Sequence, residues 1–123
     1  MASNPVGWFE IYVQNMPRAK RFYETVLGVT LNKLPSPIIE MWAFPQNFTS
    51  YGSSGALVKA EGMASGGNST LVYFHSEDCA AEAGRVAAAG GRLLKERFSI
   101  GEFGFIALAF DTEGNLFGLH SMK

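Results

Sequence analysis

Polar and apolar residues alternate along Trp8–Val13. Phe9, Ile11 and Val13 fall on one side and Trp8, Glu10 and Tyr12 on the other, which is the period of a strand. Asn15 then offers an N-cap oxygen, and Pro17 sits where a first helical turn needs no N–H. Met16, Ala19, Phe22, Tyr23, Val26 and Leu27 recur at helical spacing, and Gly28 suits a left-handed residue closing the helix. Short strands are predicted over 29–34, 38–45 and 54–60, with Pro35, Pro37 and the Ser/Gly run 52–55 at the turns. The grammar then recurs. Leu71–His75 reads as a strand, Glu77/Asp78 as a cap, 79–89 as an alanine-rich helix closed by Gly90, and 92–98, 103–111 and 115–121 as strands.

Sliding the chain over itself by 62 residues brings Ala19 onto Ala81, Gly28 onto Gly90, Leu31 onto Leu93, Lys33 onto Lys95 and Leu57 onto Leu119. Ile38/Ile100, Glu40/Glu102, Phe48/Phe110 and Gly52/Gly114 also coincide. The punctuation aligns with these identities, so the chain reads as two βαβββ modules in tandem, an α+β fold. Module one covers 5–60, a Gly/Ser/Ala-rich linker 61–69, and module two 70–122, within one domain. Two such modules are expected to pair their curved sheets around a cavity.

Composition narrows the partners. Hydrophobic residues make up 47% of 123 and charged residues 17%, with a net charge of −1, so neither nucleic acid nor an anionic membrane finds an electrostatic footprint. The single cysteine allows no internal disulfide and suits a reducing compartment. No leader-like or membrane-spanning stretch is visible, and a cytoplasmic protein is expected. Cys79, at the start of the second helix, reads as a structural thiol. The glycines of 62–67 lack the following Lys-Ser/Thr of a phosphate loop, and no Ser-His-Asp order or CxxC is present.

The blocks R-A-x-x-F-Y-x-x-x-L-G at Arg18–Gly28 and D-x-x-G-N at Asp111–Asn115 carry a family likeness. With the W-F-E opening and the F-G-L-H ending, the chain resembles the vicinal oxygen chelate superfamily over roughly residues 6–121. That superfamily includes glyoxalase I, bleomycin-resistance proteins, fosfomycin-resistance enzymes and extradiol dioxygenases. The resemblance implies a divalent metal held by His, Glu or Gln from the first and last strands of each module. It places those positions at Trp8, Ala56, Leu71 and Gly118, none of which can ligate a metal. A one-residue shift gives Phe9, Leu57, Val72 or Phe117, equally without donors. The expectation is therefore no metal and no cofactor. A displaced site of Glu10, His75 and His120 is disfavoured, because four residues of strand span about 13 Å. The resemblance also implies a homodimer.

With Phe9, Ile11, Val13, Val72, Phe74, Phe117 and Leu119 under the helices, the period-two pattern leaves the other residues of each strand for the cavity. Its expected lining is Trp8, Glu10, Tyr12, Ser54, Ala56, Val58, Leu71, Tyr73, His75, Leu116, Gly118 and His120, with Trp42 available to stack on a planar ligand. Small residues at Ala56 and Gly118 are expected to leave room for an organic guest. Three functions follow. The first is metal-independent binding of an apolar or aromatic small molecule. The second is a metal-free lyase- or isomerase-type enzyme with Glu10 as general base and Tyr12, Tyr73 or a histidine steadying an oxyanion. The third is a metal-dependent glyoxalase or dioxygenase with displaced ligands. The sequence does not name the ligand.

Overall fold

The computed structural model describes residues 4–49, 52–66, 70–112 and 114–123. Residues 67–69 of the predicted linker and Glu113 of the D-x-x-G-N turn lie outside the described residues. The elements run β1 (Val6–Tyr12), α1 (Met16–Leu27), β2 (Asn32–Leu34), β3 (Glu40–Ala43), β4 (Ser54–Lys59), β5 (Thr70–His75), α2 (Cys79–Ala83), β6 (Arg92–Ser99), β7 (Phe105–Phe110) and β8 (Leu116–Ser121). The fold is α+β, two βαβββ modules in tandem. By contacts the chain forms two compact units, Phe9–Thr70 and Leu71–Lys123 with the stretch up to Trp8.

In the N-terminal unit the strand order is β2-β3-β4-β1. The Asn15 side chain accepts the Arg18 N–H at 3.1 Å, Pro17 lies in the first turn, and Gly28 closes α1 at φ 67°. A left-handed residue there is what glycine tolerates best. The helix buries its inner stripe on one face of the sheet: Val13, Met16, Leu31 and Leu57 form the core, with Ile11, Ala19, Tyr23, Val29, Trp42 and Phe44 packed around it. Phe44 stacks against both Phe9 and Tyr23 at 5.7 Å between centroids.

In the C-terminal unit the order is β5-β8-β7-β6, with β5 and β8 parallel. Asp78 caps α2 through the Ala80 N–H at 3.1 Å. Cys79, Ala83, Ala107 and Leu119 form the core beneath it, joined by Phe74, Leu93, Phe105 and Phe117. Ser121 is fully buried and accepts the Cys79 N–H at 3.0 Å, pinning the last strand to the helix start. The D-x-x-G-N turn is a side-chain clamp, in which the Asn115 backbone and amide N–H groups both donate to the Asp111 carboxylate, at 2.9 and 3.0 Å.

Equivalent hydrogen bonds measure the repeat. Val13 N–H donates to the Val58 carbonyl at 2.9 Å, and Ser76 N–H donates to the His120 carbonyl at 2.8 Å. The first members of these bonds differ by 63 residues and the second by 62. The N-caps Asn15 and Asp78 also differ by 63, whereas the positive-φ glycines Gly28 and Gly90 differ by 62. The single 62-residue offset therefore needs correction: the second module is one residue shorter between its N-cap and the positive-φ glycine, and Gly90 does not close the helix as expected. The helix expected over 79–89 is regular only at Cys79–Ala83. Gly84 caps it, and the chain reaches Gly90 through tighter turns such as Arg85 N–H to Glu82 O and Val86 N–H to Ala83 O. The strand expected from 103 begins at Phe105, because Gly101–Phe103 forms a 3-10 turn. The strand expected over 38–45 is limited to Glu40–Ala43.

A Cβ on Gly55 would collide with the Phe9 carbonyl oxygen and with its ring. Backbone cannot step aside as a flexible side chain can. Gly55→Ala is expected to cost about 3 kcal/mol or more of stability, read as a lowered thermal midpoint, and an unchanged midpoint would contradict the packing of β1 on β4.

Candidate functional site

Cross-strand register decides which residues share the helix-free face of each unit. In the N-terminal unit, Val58 pairs with Met41 and Ala56 with Ala43, while Leu57, in the core under α1, pairs with Trp42. Glu10 and Tyr12 alternate with Ile11 and Val13, so they lie on the face of Ser54, Ala56 and Val58. All five are buried, and Ala56 and Val58 have no exposed surface. Glu10 is 7% exposed, and no other charged residue among those described is buried. Its Oε1 accepts a hydrogen bond from the Tyr12 hydroxyl at 2.8 Å, because residues two apart on a strand point the same way. A carboxylate taken out of water among aliphatic neighbours is costly unless hydrogen-bonded. Met41 and Ala43 belong to this face and were not among the residues nominated from sequence.

Trp42 was nominated and lies elsewhere. It packs at the edge of the core under α1, with the Lys20 ammonium 3.4 Å from its ring centroid and its indole N–H donating to Glu40 at 3.0 Å. The β3–β4 register places it there, opposite Leu57. Ser54 donates to the carbonyls of Phe44 and Pro45, at 3.0 and 2.9 Å, which makes it a turn anchor. A hollow of about 330 Å³ opens at the first turn of α1, lined in part by Val13, Gln14, Arg18 and Phe22. None of the nominated residues lines it.

In the C-terminal unit Tyr73 pairs with Gly118 and His75 with His120, so the four share a face. Leu71 and Tyr73 are buried, His120 is half-buried and His75 is exposed. The Tyr73 ring occupies the space beside Gly118, where any Cβ would strike it. The expectation that Gly118 leaves room for a guest is therefore corrected, since a neighbouring ring fills that room. Ala56, fully buried, presents no open space either. His120 Nε2 lies 2.6 Å from the Phe103 carbonyl, tying β8 to the 3-10 turn, and the His75 backbone N–H donates to the Pro5 carbonyl. The His120 contact puts a proton on Nε2, because a carbonyl can only accept. Cys79 is fully buried as the first residue of α2.

The model of the Glyoxalase/Bleomycin resistance protein/Dioxygenase superfamily matches residues 6–119. The chain belongs to this superfamily. Among solved structures, a variant methylmalonyl-CoA epimerase of Streptomyces coelicolor in complex with 2-nitronate-propionyl-CoA is similar, with TM-score 0.73 and 20% identity over 98% of both chains. The methylmalonyl-CoA epimerase of Mycobacterium tuberculosis has TM-score 0.71 and 16% identity, covering 97% of this chain and 88% of that one. A Legionella pneumophila structure named as an NAD-dependent benzaldehyde dehydrogenase has TM-score 0.60 and 17% identity, covering 94% and 98%. At these identities the likeness shows the fold. No curated protein matches.

The resemblance puts the superfamily's metal positions on Trp8, Ala56, Leu71 and Gly118. An indole, a methyl, an isobutyl and a hydrogen offer no lone pair to a divalent ion, so these residues do not fit one. Among the described residues no three His, Cys, Asp or Glu side chains are grouped as ligands.

Two substitutions test the geometry. Tyr12→Phe removes one bond to a buried carboxylate and is expected to cost about 1–3 kcal/mol in chemical denaturation; no loss would mean the bond carries nothing. Gly118→Ala drives a methyl into the Tyr73 ring and is expected to cost about 1–3 kcal/mol, with a shift of the Tyr73 ring resonances. Wild-type stability and spectra would refute the contact.

Proposed function

We propose that this member of the superfamily binds a small organic molecule without a metal ion, and that Glu10 is the polar group its ligand meets. The observation that carries the reading is a carboxylate buried on a helix-free sheet face and oriented by Tyr12. Small-molecule sites join apolar walls to a few placed polar groups, and the half-buried Met41 and Ala43 supply such walls on the face of Glu10. On the C-terminal unit, taken by itself, Trp8, Leu71, Tyr73, His75 and His120 are proposed as ligand contacts. A carboxylate held this way accepts an N–H or O–H of the guest and gives it orientation. The donor-free chemistry of the superfamily's metal positions supports a mechanism without an ion. The proposal includes a cytoplasmic setting, in keeping with the single cysteine, and a homodimer, in keeping with the superfamily resemblance.

The epimerase names among the similar structures favour a second reading. Inverting a centre beside a carbonyl requires that a proton leave carbon and return. In this reading the Glu10 carboxylate takes that proton, the C–H electron pair becomes the C=C bond of an enolate as the carbonyl π pair moves to oxygen, and water returns a proton to the opposite face of the carbon. Tyr12 acts as a positioning residue, fixing the carboxylate by its hydrogen bond.

With a chelator present, the protein is expected to bind members of a panel of aromatic and acyl carbonyl compounds in ligand-observed NMR. Glu10→Gln should weaken that binding about tenfold or more while leaving the circular dichroism spectrum unchanged. Equal binding by the variant, or binding that returns only with an added divalent ion, overturns the proposal. Deuterium uptake from heavy water into a bound acyl compound, lost in the same variant, selects the second reading.

A further inference from the structure

The edge strand β6 carries a feature that neither Glu10 nor the superfamily's metal positions involve. On a regular strand Arg92 and Lys95 would point to opposite faces, being an odd number of residues apart. Here the β6–β7 register shifts twice, between Leu93 and Lys95 and between Lys95 and Phe98. Arg92 pairs with Phe110, Lys95 with Leu108 and Phe98 with Ile106. Ala107, in the core under α2, fixes the helix side of β7, so Ile106, Leu108 and Phe110 are on the helix-free side. The irregularities thus bring Arg92, Lys95 and Phe98 onto one face, beside three half-buried apolar residues. Bulges commonly re-aim side chains in this way.

Each cation is held in place. The Arg92 guanidinium lies 4.4 Å over the Phe110 ring, and the Lys95 ammonium lies 4.2 Å over the Phe98 ring. Stacking fixes the side chain while leaving N–H donors free at the edge of the group. The third cation of the strand, Arg97, behaves differently. It stacks on Phe105 of the helix side and meets Asp78 at 3.9 Å. Among the described residues, neither Arg92 nor Lys95 has a carboxylate within ion-pair reach. Two ordered cations without counter-charge, next to half-buried apolar side chains, form a place for an anion with an apolar body.

We propose that the helix-free face of β6–β7 binds a small organic acid, with its carboxylate between Arg92 and Lys95 and its apolar part on Ile106, Leu108 and Phe110. A planar carboxylate matches the fork of a guanidinium. A dianionic phosphate would call for further backbone donors from a helix start or glycine loop, which this strand pair does not supply. The proposal rests on the small-molecule reading above but does not require Glu10.

The test uses 1-naphthoate and its neutral counterpart 1-naphthalenemethanol, titrated into the full chain by NMR. Naphthoate is expected to shift resonances of β6 and β7 and to bind about tenfold more weakly to Arg92→Gln and to Lys95→Gln, both exposed positions that keep the fold. The neutral alcohol should bind wild type and variants alike. Failure of naphthoate to bind, unchanged naphthoate affinity in both variants, or an equal loss for the alcohol overturns the assignment. Glu10→Gln, run in parallel, separates the two ideas. A loss there with none at Arg92 and Lys95 sinks this proposal alone, and the reverse pattern sinks the Glu10 reading alone.

Discussion

In each module the last strand returns parallel to the first and is tied to it by one equivalent backbone bond, Val13 to Val58 and Ser76 to His120. Parallel neighbours cannot be joined by a tight turn, so the chain must cross over, and the helix is part of that crossover. Its placement settles the rest. One face of each sheet is covered by apolar side chains from α1 or α2, and the alternate residues are left on the other face. The polar groups with chemical potential, Glu10, Tyr12, Tyr73, Arg92 and Lys95, are all on the uncovered side. The covered side holds Met16, Leu57, Cys79 and Leu119, whose role is to keep the helix down.

The same frame carries different chemistry in its two copies. The N-terminal unit surrounds one carboxylate with small aliphatic residues. The C-terminal unit presents two cations on aromatic rings at its edge strand. An edge strand tolerates bulges that a central strand would resist, because only one partner must be satisfied. That tolerance lets β6 break the period-two rule twice while β8, held on both sides, keeps it.

Much of this was legible in the sequence, and the failures have identifiable physical causes. The caps Asn15 and Asp78, Gly28 at the end of α1 and the alternation in β1 depend on local chemistry, so they could be read directly. Glu10 and Tyr12 were assigned to the correct face for that reason. Trp42 sits on a four-residue strand whose face is set by its pairing with β4, a non-local fact that no window of sequence contains. Arg92 and Lys95 were overlooked because strict alternation separates them, and only the register shifts reunite them. The second helix is shorter than its alanine content predicts because Gly84, a weak helix former, follows Ala83.

Gly118 shows how a small residue can mislead. Absence of a side chain suggests space, yet the space belongs to whichever neighbour can reach it, and Tyr73 is the directly paired residue on β5. A large ring beside a glycine is a common way for a sheet to conserve packing volume. The pairing also constrains chemistry. With Tyr73 in place no Glu, Gln or His fits at position 118, so a metal ligand there would require two coordinated changes. The tyrosine and the glycine therefore act as one packing unit, which excludes a donor at that position as firmly as the missing carboxylate does.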